Sequence, residues 1–206
     1  MVGGALAVAA SFLVLLAVSP ETLEKTARLR HRIGHVPQGL RLTLSLLSFV
    51  FFVALVVAGF IGSRDPLSNP LPLTVWTLLW VGLALLQGMF GNIWRFINPW
   101  YGPWRLIRKQ STGETETSVF RLPGWVGMWP AVGSLLVFAW FELIYPAPDD
   151  PERLAWAVGS YWLFSFVMML LFGFDEWSRR GEFLSVFLRM MGRFGIVGAD
   201  RDEVLF

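Results

Sequence analysis

Long apolar runs alternate with clusters of lysine and arginine along the whole chain. A bilayer-crossing helix needs about 20 mainly apolar residues, and five runs approach or exceed this length. The runs cover residues 3–19, 42–62, 71–90, 126–145 and 154–174. Because a helix satisfies its own backbone hydrogen bonds in lipid, we expect each run to be an α-helix. The pattern therefore predicts an all-α membrane protein with five transmembrane helices in a single membrane domain over residues 1–206.

The basic residues predict the orientation of these spans. Fifteen of the 17 Lys and Arg residues lie in the first and third connections between spans or after the fifth span. The second and fourth connections hold only Arg64 and Arg153. Because cytoplasmic loops collect Lys and Arg, the N-terminus is predicted to lie outside and the C-terminus inside.

The composition excludes several kinds of function. Only 16% of residues are charged, against about a quarter in soluble domains. The net charge of +2 comes from the inner loops, so no nucleic-acid partner is predicted. The absence of cysteine rules out disulfides and thiolate metal ligands. His31 and His35 have the spacing of a helical metal pair, but arginines surround them, and no metal site or covalent cofactor is predicted.

Residues 91–108, GNIWRFINPWYGPWRLIR, combine aromatic and basic side chains, which the headgroup zone of a membrane favours. Pro99 and Pro103 prevent a regular helix. We therefore expect an aromatic segment that lies along the inner face and anchors the fold. An alternative is that Arg95, Asn98 and Arg105 form a polar pocket for an anionic headgroup or substrate. The candidate lipid- or ligand-binding residues here are Trp94, Arg95, Asn98, Trp100, Trp104 and Arg105.

Charged residues follow the fifth predicted span. The ion-pair candidates are Asp175, Glu176, Arg179 and Arg180. Opposite charges this close together usually neutralise one another, and Asp175 or Glu176 paired with Arg95 is one form that this could take.

Residues 182–194 have the pattern of an amphipathic helix. Apolar residues recur at helical spacing along one face, from Phe183 to Phe194, while Arg189 and Arg193 lie on the opposite face. This pattern predicts an interfacial helix with its apolar side in the acyl boundary and these two arginines on lipid headgroups. Docking on a partner helix, or covering a groove between the spans, are alternatives.

Ion-coupled transport and hydrolysis both lack their usual residues. The only acidic residue within a predicted span is Glu142, close to one end, and no ionisable group is expected deep in the membrane. The sequence contains no G-x-S-x-G motif and no cluster of His with carboxylates. No catalytic residue is therefore predicted.

Three stretches carry a resemblance to a known family. They are PLTVWTLLWVGLALLQGMFGNIWRFINPW, GMWPAVGSLLVFAWFELIYP and GFDEWSRRGEFLSVFLRMMGRFG. In order and spacing, residues 71–198 resemble bacterial multi-pass membrane proteins labelled fenitrothion hydrolase-like. The resemblance implies a bacterial cytoplasmic (inner) membrane location and hydrolysis of organophosphate esters, and its motifs assign no catalytic residue.

The leading functional prediction is an accessory or scaffold subunit that packs against other membrane proteins and lipids and has no catalysis of its own. It depends on the missing catalytic residues and on the 11 Trp and 18 Phe available for contacts. Lipid, quinone or pigment are candidate ligands for aromatic grooves between the helices. The alternatives are a membrane-bound organophosphate ester hydrolase and, third, a small-solute transporter.

Overall fold

Apolar helices make up most of the described part of the chain. The structure, a computed structural model, describes residues 32–35, 37–112, 118–194, 198–200 and 203–205. In chain order its helices are α1 (Gln38–Ile61), α2 (Pro70–Phe90), α3 (Trp94–Ile97), α4 (Tyr101–Thr112), α5 (Trp129–Leu143), α6 (Pro151–Phe172), α7 (Phe174–Arg180) and α8 (Phe183–Gly192). The middle of α2, Leu73–Leu83, is π-helical, and a 3₁₀ turn at Gly124–Val126 precedes α5.

Four helices within the described ranges are long and apolar enough to cross a membrane, as four of the five predicted spans require. They are α1, α2, α5 with its preceding turn, and α6. The remaining predicted span, residues 3–19, lies outside the described residues, as does His31. This part of the chain is therefore a helical bundle of the kind found in multi-pass membrane proteins.

A small antiparallel sheet accompanies the helices and was not predicted. Its strands are β1 (Arg32–His35), β2 (Gly198–Asp200) and β3 (Glu203–Leu205), in the order β1-β3-β2. The pairs His35–Glu203 and Ala199–Val204 give the register. Strands of three or four residues are too short for a recognisable alternation of apolar and polar residues.

Close packing joins α1, α2 and α6 at the end of the bundle that carries the α1–α2 and α5–α6 connections, here called the turn end. A Cβ atom added to Gly59 would lie 2.5 Å from Leu71 Cδ2 and 2.7 Å from Ala155 Cβ, so only glycine allows this approach. Asn69 Nδ2 donates to the Ala58 carbonyl at 2.9 Å, and Asn69 Oδ1 accepts from Leu71 N at 2.9 Å. One side chain thereby completes the end of α1 and the start of α2.

A first broken segment enters the bundle from the end opposite the turn end, here called the hairpin end. This first hairpin consists of α3, the Asn98-Pro99-Trp100 turn and α4. Trp100 Nε1 donates to the carbonyl of Trp162, the twelfth of the 22 residues of α6, at 2.9 Å. Trp104 Nε1 donates to the Met169 carbonyl at 3.1 Å, so α4 runs alongside α6 towards the hairpin end. At a rise of 1.5 Å per residue, the tip lies roughly 15 Å inside the end of α6.

A second hairpin, α7 and α8, enters beside the first. It begins at Gly173, whose φ of 87° reverses the chain after α6. Its tip is the Gly181–Glu182 pair, and the Glu182 carboxylate caps α8 by accepting from Leu184 N at 2.8 Å and Ser185 N at 2.6 Å. The same carboxylate accepts the hydroxyl of Tyr161, halfway along α6.

The structure contradicts the first surface prediction and limits the second to the last residues of α8 and those that follow it. Residues 91–108 do not lie along the inner face, because Trp94, Asn98 and Trp100 are buried at the first hairpin tip. Residues 182–194 do not form an interfacial helix along their whole length, because Phe183 to Val186 are buried on every side and only later residues such as Phe194 are exposed. Non-helical backbone is tolerated at this depth where protein groups satisfy it, as they do at both tips. Of the alternatives considered, covering a groove between the spans fits α8.

Candidate functional site

A cavity of about 750 Å³ lies between the four spans, on the turn-end side of the hairpin tips. The tips contribute its floor, with Trp94, Pro99 and Trp100 from the first hairpin and Phe183 and Leu184 from the second. The walls come from the turn-end halves of α1, α2 and α6 and from most of α5. The hairpins thus fill one half of the bundle, and the cavity lies within the other half.

The cavity walls are apolar, and their hydroxyl groups at three positions are already bonded. Ser134 Oγ donates to the Pro130 carbonyl at 2.9 Å, and Ser160 Oγ donates to the Ala157 carbonyl at 3.0 Å. The Tyr161 hydroxyl donates to Glu182. Because these hydroxyl protons are already used, they offer a polar solute little replacement for its water. The indole nitrogens of Trp162 and Trp177, two further lining residues, are buried without a hydrogen-bond partner in the described part of the chain. The chemistry of the walls favours an apolar occupant.

Aromatic contacts connect α5 to the other helices around the cavity. The Phe138 ring lies 4.9 Å from Trp80 and 5.2 Å from Phe183, measured between centroids. Phe183 also lies 5.3 Å from the Tyr161 ring. Helix α5 otherwise packs mainly on α8 and α7, and much of its remaining surface is exposed. One wall of the cavity is therefore held by side-chain contacts and by the second hairpin.

The two hairpins meet in a buried polar contact, the hairpin junction, formed by Ser45, Trp94, Asn98 and Ser185. Ser185 Oγ accepts from Trp94 Nε1 at 2.9 Å and from Asn98 Nδ2 at 3.2 Å. Ser45 Oγ donates to the Asn98 carbonyl and accepts from Gly102 N at 2.7 Å. Asn98 Oδ1 accepts from Trp100 N at 3.0 Å, which restarts the helix after Pro99. These bonds fix the cavity floor.

Four polar residues of this region were not among the predicted site residues: Ser45, Tyr161, Glu182 and Ser185. Glu182 has no exposed surface and lies beside the middle of α6, so the expectation of no deep ionisable group is wrong. Burial opposes ionisation of a carboxyl, while the three donors around it favour the carboxylate. A helix beginning at Glu182 was predicted, but no local pattern indicates that its carboxyl group is buried against Tyr161.

The predicted ligand-binding residues of the first hairpin separate into two groups, while Arg189 and Arg193 lie at the end of α8. Trp94, Asn98 and Trp100 lie at the first hairpin tip, with their polar atoms bonded within the protein. Trp104 and Arg105 lie on α4. Arg105 donates to the Tyr101 hydroxyl at 2.7 Å and to Gln38 Oε1 at 3.0 Å, and the Arg95 carbonyl accepts from Arg41 Nε at 3.2 Å. The side chains of Asn98 and Arg105 therefore form hydrogen bonds with different partners.

The ion-pair candidates lie at the second hairpin. Glu176 pairs with Arg180 one helical turn later. Arg180 also donates to the carbonyls of Gly127 at 3.1 Å and Pro123 at 2.9 Å. These hydrogen bonds therefore attach the segment before α5 to α7. Asp175 and Arg179 are exposed on the same helix.

No family model, curated protein or solved structure matches the chain. Within the described ranges, no three His, Asp or Glu side chains stand close enough to hold a metal ion. The cavity and the hairpins are thus the features from which a function is inferred.

Proposed function

We propose that this protein is an accessory subunit of a bacterial cytoplasmic membrane that holds an apolar, membrane-soluble molecule and has no catalysis of its own. The cavity of about 750 Å³ carries this proposal. Its size falls within the range of ligand pockets, about 300–1,000 Å³. The lysine and arginine distribution supports an orientation with the hairpin end towards the cytoplasm.

The cavity chemistry favours a flexible hydrocarbon chain, such as the tail of a lipid or of an isoprenoid quinone. Aromatic rings from Trp76, Trp80, Phe138 and Trp162 supply large apolar contact areas. A small polar solute would lose its water here without gaining comparable hydrogen bonds. The ligand therefore comes from the membrane phase.

Partner subunits are proposed to pack along α5. This helix has few contacts with the other spans, and it carries large exposed apolar side chains such as Leu136, Val137 and Leu143. An apolar face of this kind suits either lipid or a partner transmembrane helix.

The test is gentle extraction from the native membrane, followed by mass analysis of both the small molecules and the proteins that remain bound. The proposal expects a stoichiometric apolar molecule and at least one membrane partner. A protein that retains neither, while remaining folded, would contradict it.

Small-solute transport is a second candidate, because two broken segments meeting midway through a bundle are a feature of transporter folds. Uptake of a solute into proteoliposomes, lost when the hairpin junction is disrupted, would favour it over the binding subunit. The hydrolysis implied by the family resemblance has no comparable support in the geometry. Turnover of an organophosphate ester by the isolated protein, lost in Arg95→Ala or Asp175→Asn, would establish that activity.

A further inference from the structure

Three arginines on or directly after the second hairpin form no salt bridge within the described ranges. Arg179 and Arg193 are exposed, and Arg189 donates from Nη2 to the Arg179 carbonyl at 2.8 Å. Burial, together with the charges of Arg179 and Arg193, lowers the pKa of the Arg189 guanidinium, while the charge of Glu182 acts in the opposite direction. Arg193 lies one helical turn after Arg189, and the Arg189 guanidinium lies against the Arg179 backbone, so an anion placed among these arginines would relieve their mutual repulsion.

Apolar side chains stand next to these charges. Met190 and Phe194 each follow one of the arginines in sequence, and they are 52% and 77% exposed. A Cβ atom added to Gly192 would lie 3.0 Å from Asn92 N, so this turn of α8 is held against the segment that follows α2. Arginines next to exposed apolar side chains suit a phospholipid, whose phosphate would bind the arginines and whose acyl chain would contact the apolar side chains.

We propose that Arg179, Arg189 and Arg193 bind the phosphate group of an anionic phospholipid in the leaflet at the hairpin end. Guanidinium groups form paired hydrogen bonds with phosphate oxygens. Met190 and Phe194 contact the lipid chain. This site is separate from the cavity, which lies beyond the hairpin tips.

A purely structural role gives a different expectation. Arginines near the C-terminal end of a helix also stabilise it through the helix dipole. In that case their replacement lowers the unfolding temperature without changing lipid binding. Lipid binding must therefore be measured together with stability.

The experiment titrates the full-length protein in detergent with phosphatidylglycerol or phosphatidylcholine and counts the bound lipids by native mass spectrometry. We expect phosphatidylglycerol to bind in preference. Loss of one charge in Arg193→Gln should weaken its binding about fivefold, and loss of two in Arg189→Gln/Arg193→Gln about 25-fold. Arg193→Lys should keep most of the binding. Arg121→Gln, which changes an exposed arginine outside the cluster, should leave it unchanged.

Inorganic phosphate distinguishes a lipid site from a site for free phosphate. A preference for phosphatidylglycerol that persists in millimolar phosphate supports the proposal. Equal binding of the two lipids, or equal weakening by Arg121→Gln, overturns it. Arg193 and Arg179 make no side-chain hydrogen bond within the described ranges, so variants at these positions are expected to fold even if Arg189→Gln does not.

Discussion

The Glu182 carboxylate accepts a hydrogen bond from the hydroxyl of Tyr161, 21 residues earlier in the chain. Tyr161 is the eleventh of the 22 residues of α6, so the contact lies halfway along a helix long enough to span a membrane. The same carboxylate caps α8 through Leu184 N and Ser185 N. This contact therefore fixes both where the second hairpin turns and how deep its tip reaches.

Removing the Tyr161 hydroxyl is expected to weaken this attachment. Tyr161→Phe leaves a buried carboxylate with one donor fewer and should lower the free energy of unfolding by about 1–3 kcal/mol. Tyr145→Phe is the matched control, because the Tyr145 hydroxyl accepts only from the exposed Arg153, at 3.2 Å. Its effect should stay within about 0.5 kcal/mol. Denaturant unfolding in detergent measures both, and equal losses would contradict the prediction.

The hairpin junction should show coupling between its residues. Ser185→Ala removes the acceptor of Trp94 Nε1 and of Asn98 Nδ2 and should cost about 1–3 kcal/mol. Trp94→Phe combined with Ser185→Ala should cost less than the sum of the single changes, because fewer donors remain unpaired. Unfolding of the four proteins of this double-mutant cycle gives the coupling energy. Additive effects, or an equal loss in Ser160→Ala, would argue against a junction held by these bonds.

Two glycines should respond in opposite ways to alanine. Gly59→Ala places a methyl group 2.5 Å from Leu71 Cδ2 and should destabilise the α1–α6 contact by about 1–3 kcal/mol. A Cβ atom on Gly133 meets nothing within 4 Å, so Gly133→Ala should be neutral or stabilising by up to about 1 kcal/mol, as expected for a glycine in a helix. Thermal unfolding compares them. If both substitutions destabilise the protein, the close approach of Leu71 and Ala155 is not what requires glycine at position 59.

Arg180 should restrain the backbone of the segment before α5, whereas the neighbouring Arg179 should not. A lysine ammonium cannot form all the hydrogen bonds that the Arg180 guanidinium donates to Glu176 and to the carbonyls of Pro123 and Gly127. Arg180→Lys should therefore speed backbone hydrogen exchange in residues 122–127. Arg179→Lys, at an exposed position whose guanidinium makes no hydrogen bond within the described ranges, should leave exchange there unchanged. Similar exchange in both variants would refute this role.

Filling the cavity should remove its ligand while leaving the bundle folded. Gly133 lines the cavity and faces open space, so Gly133→Phe should reduce the retained apolar molecule at least tenfold with little change in the unfolding temperature. Gly88→Phe is the control, because Gly88 also faces open space but does not line the cavity. Mass analysis after extraction gives the retained amount. Full retention in Gly133→Phe would place the ligand elsewhere.

Trp94, Asn98 and Trp100 show how far the sequence predicted the candidate site. Their composition marked the segment as unusual, and all three lie at the cavity floor or in the hairpin junction. Their depth was predicted wrongly, because aromatic and basic residues together are also typical of a membrane surface. Their depth depends on hydrogen-bond partners that are distant in sequence, such as Ser45, Trp162 and Ser185.

Local sequence determined which segments form helices long and apolar enough to cross a membrane, because an apolar run of sufficient length has no other way to satisfy its backbone in lipid. It also determined the break at Pro99, which ends a helix wherever that helix lies. Only the tertiary structure decided that residues 91–112 and 173–192 enter the bundle, and that a hollow remains beyond their tips. Burial of Glu182 and Asn98 depends on donors and acceptors up to 87 residues away, and no local pattern records whether those partners will meet.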